Sequence, residues 1–287
     1  MYKNIVIAYD DSEFSKAALM ESSHWIKRHG GKAILVHSVF FDEEEFVIAP
    51  DQRLKRFKLG EKACYRMQEA VSAELGLNGN LEALVCEGEP PDVVVEVAGA
   101  RNADLIAIGT HGRKGLKKLF LGSVTSRVIV NSPCDVLVVK KTCEKCTGSY
   151  KSILVSFDGS EFSKKAFKHA CELSKIDGSE ITALYVIPRY EEMLEFFSTS
   201  FIKENLRHDA EKILDKARAI ATDCGVTIHT EIAEGNEAEK IVEAANMHGN
   251  DLIVRGTHGW TGINKAIIGS VADSVFINAP CPVLVVK

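Results

Sequence analysis

Nowhere does this chain of 287 residues hold the roughly 20 consecutive apolar residues that a membrane-spanning helix requires, so a helical membrane protein is not expected. Nor is there an excess of positive charge. Its 35 Lys and Arg residues are outnumbered by 40 Asp and Glu, a formal net charge of −5, which leaves no electrostatic footprint for nucleic acid. The pattern G-x-x-x-x-G-K-[S/T] is missing, and with it the phosphate loop of P-loop hydrolases. No G-x-G-x-x-G follows the first apolar run, which removes the usual dinucleotide-binding reading. No nucleophile is paired with a recognisable base and orienting group, so an efficient catalyst is not expected. The opening residues MYKNIVIAYDDSE turn acidic too early for a secretory signal. Eight cysteines are scattered along the chain, which suits reduced thiols in a cytosol better than a disulfide framework. The expected location is cytoplasmic.

What the chain does have is a repeat. Asp104 to Lys140 recurs as Asp251 to Lys287, and 21 of the 37 aligned positions are identical. Identity at that level marks a duplication. Each copy reads as apolar strand, glycine-punctuated loop, helix, proline and apolar strand. The loop has the form G-T-H-G, nine residues, G-S: Gly109, Gly112, Gly122 and Ser123, then Gly256, Gly259, Gly269 and Ser270. Glycines of this kind let backbone N–H groups approach a ligand closely. The closing Gly-Ser opens a helix, whose unpaired amides and dipole favour an anion. The pattern predicts a phosphate cradle, present twice.

The rest of the chain fits two halves of about 140 residues, each long enough to bury a core. The boundaries are set at residues 1–140 and 150–287, with a short polar linker over 141–149. In each half a β-branched run (Lys3 to Tyr9, Lys151 to Phe157) ends in an acidic turn closed by Ser12 or Ser160, both good helix N-caps. Gly30-Gly31 and Asp177-Gly178 stop the helices that follow. Ala33 to Val39 and Ile181 to Ile187 read as strands buried on both faces. Long helices then run to Gly76 and Gly225, and Leu81 to Cys86 and Val226 to Ala233 form a third strand. Each half is thus β-α-β-α-β-α-β-α-β, an open α/β unit with a parallel sheet and helices on both faces. The acidic run Glu43 to Glu45 reads as a solvated loop.

Ligands in such sheets bind beyond the carboxyl ends of the strands, where the winding reverses. Strands one and four placed side by side would set Asp10 opposite the Gly109–Ser123 loop, and Asp158 opposite Gly256–Ser270. A carboxylate suits ribose hydroxyls and a glycine loop suits phosphates; together they describe a nucleotide site. D-x-S after strand one, G-x2-G-x9-G-S after strand four and a closing P-C-x-V-L-V-V resemble the universal stress protein family, here as a tandem member of its ATP-binding branch. The resemblance covers nearly the whole chain, apart from the loops after strand two and the linker. It implies strand order 3-2-1-4-5 in each five-stranded sheet. It also implies ATP, or ADP or AMP, with Mg as an accompanying ion. Its contacts would be Asp10, Ser38, Gly109, Gly112, Gly122, Ser123 and Val124 in the first half. In the second they would be Asp158, Val186, Gly256, Gly259, Gly269, Ser270 and Val271. Family members commonly pair through strand five, which implies an intrachain pseudo-dimer, with a homodimer of whole chains as a further assembly.

Other residues invite sharper readings. His111 and His258 sit inside the loops, and a histidine bonding local backbone is favoured there over a catalytic one. Cys134 and Cys281 precede buried strands and read as packing residues. Cys143-x-x-Cys146 has chemical spacing, but no second pair lies at zinc-finger distance, which favours inert linker sequence. Lys114, Lys117 and Lys118 add charge near the first loop. Arg255 replaces Ile108 just before the second loop. It either snorkels out, pairs with Asp158 or reaches the phosphates. The function expected is a nucleotide-dependent stress-response module with an unidentified protein partner. The alternatives are a weak ATPase or adenylyl-transfer enzyme using His111 or His258, and a metal or redox module through Cys143 and Cys146.

Overall fold

Runs such as Leu105-Ile-Ala-Ile-Gly109 and Asp135-Val-Leu-Val-Val139 have no exposed position, as strands lying between two layers of helices require. In a computed structural model of the chain, residues 1–40, 50–77, 79–112, 121–140, 147–188, 200–257 and 269–287 are described. They divide into two compact units, Met1–Ser149 and Tyr150–Lys287.

The first unit runs β1 (Asn4–Ala8), α1 (Glu13–His29), β2 (Lys32–Val39), α2 (Pro50–Leu75), β3 (Leu81–Glu87), α3 (Pro90–Ala100), β4 (Leu105–Gly109), α4 (Ser123–Asn131) and β5 (Asp135–Val139). The second repeats it as β6 (Ser152–Ser156), α5 (Glu161–Asp177), β7 (Glu180–Pro188), α6 (Ser200–Cys224), β8 (Ile228–Gly235), α7 (Glu237–Met247), β9 (Leu252–Gly256), α8 (Ser270–Asn278) and β10 (Val283–Val286). Strand order is β3-β2-β1-β4-β5 in the first unit and β8-β7-β6-β9-β10 in the second. Every pairing within a unit is parallel. The winding therefore reverses between β1 and β4, and between β6 and β9, where the sequence places it. Among the described residues no helix is long and apolar enough to cross a membrane.

Helix ends follow their caps. The Ser12 and Ser160 hydroxyls accept from the amides of Ser15 and Ser163, and α1 and α5 stop at Gly30 and Gly178. Strand ends differ from the sequence expectation by one or two residues. β8 starts at Ile228 and not at Val226 because the Val226 amide closes the end of α6, donating to Ala221 O at 3.0 Å. β7 extends to Pro188, which pairs with Gly235. The two cores have diverged: Tyr2 packs on Trp25 and donates to the buried Asp135 in the first, whereas Phe157 and Phe167 pack edge to face in the second.

At the amino ends of the strands each unit carries a carboxylate clamp. Asp104 accepts from the backbone N–H of Lys3 (2.7 Å) and Asn4 (3.1 Å), fastening β1 to the start of β4. Asp251 does the same for Lys151 (2.7 Å) and Ser152 (2.9 Å).

Candidate functional site

The crevice lies at the carboxyl ends, where β1 and β4 are neighbours with Ile5 opposite Leu105. Just beyond β1 the chain turns sharply through Asp11, whose φ of 69° is left-handed, into α1. Asp10 holds that turn, its Oδ1 accepting from Ser12 N at 3.1 Å. The other oxygen, Oδ2, is turned across the crevice. A Cβ added at Gly112 would stand 2.7 Å from it, so the loop backbone and the carboxylate meet there only because residue 112 has no side chain. Neighbouring Asp11 accepts from the Tyr9 hydroxyl and pairs with Lys16, both pointing it away from this contact.

The loop then returns to its own start. Gly122 N donates to Thr110 O at 2.9 Å, and the Thr125 hydroxyl donates to Gly109 O at 2.7 Å, tying the first turn of α4 to the end of β4. Thr110 and Thr125 are both buried and carry this closure; neither was singled out from the sequence, where only a threonine in the first helical turn hinted at it. Gly122 caps α4 without a side chain, in contrast with α1, α5 and α7, which Ser12, Ser160 and Asn236 cap with their own oxygens. Helix N-terminal amides lack intrahelical partners, so a glycine cap leaves them to whatever approaches. Gly112 and Ser123 are solvent-exposed, and Asp10, Gly122 and Val124 are half-buried.

Gly109 belongs to the same end of the sheet for a different reason. A Cβ there would lie 2.6 Å from Phe14 Cβ and 2.7 Å from its carbonyl carbon. The glycine admits the first turn of α1 against β4. Gly256 does the same for α5, where Phe162 backbone and side-chain atoms stand at 2.7 Å. Ser38, at the end of β2, donates its hydroxyl to Gly88 O; Val186 is half-buried in β7 opposite Ala233.

His111 is buried; its Nδ1 lies 3.1 Å from the Thr110 hydroxyl and its ring 5.3 Å from that of Phe14. One of its partners is thus the neighbouring threonine side chain. His258, Gly259, Glu43 to Glu45, Lys114, Lys117, Lys118, Cys143 and Cys146 lie outside the described residues.

The second crevice repeats the frame with altered charge. Asp158 Oδ1 accepts from Ser160 N at 2.9 Å, and Gly269 caps α8, again without a side chain. Ser270 is exposed and Val271 half-buried at its first turn. Arg255 does not snorkel out. It is 9% exposed, and among the described residues its Nη1 has no hydrogen-bond partner. Burial pushes its guanidinium below the ordinary value, opposed by the charges of Glu237 and then Asp158. Glu237, at the start of α7, is thus a charge that acts on Arg255 and that the sequence reading missed. An arginine remains charged under such conditions, so the second crevice holds a buried cation where the first has Ile108. A charge buried without a full set of hydrogen-bond partners is costly, because its lost hydration is not repaid. Arg255→Ile is accordingly expected to raise the urea midpoint of the ligand-free protein; a clear loss of stability would show that the guanidinium is held by more than these charges.

The fold defines the class: a tandem α/β protein whose strand order reverses between β1 and β4 and again between β6 and β9. The chain belongs to the universal stress protein family, whose model matches residues 1–140 and again 149–287. A universal stress protein of Methanocaldococcus jannaschii is 42% identical over 140 residues, 48% of this chain and 82% of its own. One from Thermus aquaticus is 32% identical over 148 residues, 49% of this chain and the whole of its own. The crystal structure of a universal stress protein from Archaeoglobus fulgidus superposes with a TM-score of 0.70 over 99% of this chain and 96% of its own. At 21% identity that match speaks for the fold.

Proposed function

We propose that each unit binds an adenine nucleotide, ATP foremost, and that the protein acts as a nucleotide-responsive regulatory module. The observation that carries this reading is the meeting of Asp10 Oδ2 with the side-chain-free backbone at Gly112, beside a helix capped by glycine alone. A carboxylate there would take the ribose hydroxyls, and the amides of Ser123 and Val124 would take phosphate oxygens. Asp158, Gly269, Ser270 and Val271 would do the same in the second unit. An accompanying Mg ion would neutralise phosphate charge; binding and orientation would fall to the chain's own groups. The assignment to a regulatory module over an efficient catalyst rests on His111. Its ring is buried against Phe14 and its Nδ1 engaged with Thr110, a poor stance for proton transfer to a ligand in the recess.

Isothermal titration of the full chain with ATP tests the reading. Charge-assisted hydrogen bonds contribute about 1.5–3 kcal/mol, so Asp10→Ala and Asp158→Ala should each weaken one class of sites by tenfold or more. Unchanged affinity in the double variant would refute it.

A further inference from the structure

The carbonyl that ends the fourth strand is met differently in the two units. In the first, the Thr125 hydroxyl reaches it from the first turn of α4, donating to Gly109 O, while Gly122 N closes on Thr110 O. The repeat puts Ala272 in place of Thr125, Gly269 in place of Gly122 and Arg255 in place of Ile108. Ala272 is buried and has no hydroxyl to give. Here it is Arg255 Nε that donates to the carbonyl, Gly256 O, at 3.4 Å. A bond to the carbonyl of the following residue turns the guanidinium toward the carboxyl end of β9, where α8 begins. The missing side chain of Gly256 points at Phe162 of α5, so strand alternation turns Arg255 away from α5, to the side on which α7 and α8 pack together. Its Nη1 is buried, and among the described residues nothing accepts from it. Such a donor is costly to keep, and Ile108 shows that the strand position can be filled without one. The start of α8 also stands clear of the strand end. Among the described residues a Cβ added at Gly269 would meet nothing within 4 Å, whereas one at Gly122 would lie 3.0 Å from Thr110 O.

We propose that Arg255 is the specificity-determining residue of the second unit, holding a phosphate group between the end of β9 and the glycine-capped start of α8. The proposal deepens the nucleotide reading and rests on it for the nucleoside part of the ligand; the phosphate group is called for by the unpartnered guanidinium itself. A phosphate oxygen supplies the acceptor that Nη1 lacks, and its charge offsets the buried cation. The planar fork of a guanidinium can meet two such oxygens at once, which a lysine in its place could not do. The first unit has Ile108 and the Thr125 closure at the equivalent place and offers no such group. The two sites of one chain therefore differ in what they select, the second responding to phosphate charge more strongly than the first. The phosphate is either that of a nucleotide or the free inorganic ion.

The test is isothermal titration of the full chain in phosphate-free buffer at fixed ionic strength, with inorganic phosphate and ATP as separate probes. The parent is expected to take up one phosphate per chain, and Arg255→Ile should weaken that uptake by about tenfold or more. Arg255→Lys keeps the charge without the fork and should fall between the two; it decides the matter should the isoleucine variant fail to fold. With ATP, both variants should weaken one class of sites and leave the other as in the parent. Weakening in both titrations assigns the site to a nucleotide's phosphates, and weakening with phosphate alone assigns it to the free ion. A parent that binds no ATP but takes up phosphate through Arg255 would refute the nucleotide reading and leave this site standing. The proposal is overturned if neither titration changes in either variant, or if both classes of ATP sites weaken equally.

Discussion

Gly109→Ala is expected to destabilise the protein by about 3 kcal/mol, the upper end of the overpacking range, because the new methyl group meets backbone and not a movable side-chain tip. Its Cβ would stand 2.6–2.7 Å from Phe14 Cβ and carbonyl carbon, and at such distances α1 must move away from β4. A fall in melting temperature on the order of 10 °C follows for a unit of this size. Gly256→Ala should behave alike, since Phe162 stands equally close. Gly99 in α3 is the control, with nothing within 4 Å of its added Cβ. Gly99→Ala should stabilise by about 0.4–1 kcal/mol through the unfolded state. Equal melting of Gly109→Ala and Gly99→Ala would show that α1 seats on β4 in some other way.

Gly269→Asp is expected to change stability and binding in opposite directions. At φ −65° and ψ 149° the position is open to any L-residue, and an added Cβ meets nothing within 4 Å. An aspartate there can cap α8 and favour its dipole, a gain of a few tenths of a kcal/mol over glycine. The same carboxylate would stand where a phosphate must approach and should abolish nucleotide binding in the second unit, leaving the first intact. Titration should then count one site per chain where the parent has two. Two retained sites would mean that phosphate is not held at α8. Gly122 is a less clean choice, because its added Cβ lies 3.0 Å from Thr110 O and the loop itself would be disturbed.

These two substitutions mark how far the sequence could be read. The strands and helix ends were legible because each rests on local chemistry: β-branched runs, Ser12 and Ser160 as caps, Gly30 and Gly178 as stops; the strand order, and with it the reversal between β1 and β4, came from the family resemblance. The facing of Asp10 and the loop was legible too, since it follows from the sheet order. Why each glycine is a glycine was not. Gly109 and Gly256 also make room for Phe14 and Phe162, residues about 95 positions away in the chain. Glu237 was missed because its charge acts on Arg255 only once the chain is folded, the two lying 18 residues apart in sequence.

The carboxylate clamps at the amino ends bear on how such a chain can change over generations. Asp104 fastens β1 to β4, and Asp251 fastens β6 to β9, each inside its own repeat. A repeat that anchors its own first strand inherits the means to fold whatever happens at its crevice. Selection on the ligand site and selection on the fold then act on separate ends of the sheet. One copy can then change at its crevice without losing its fold, and Arg255 against Ile108 is such a difference between the two.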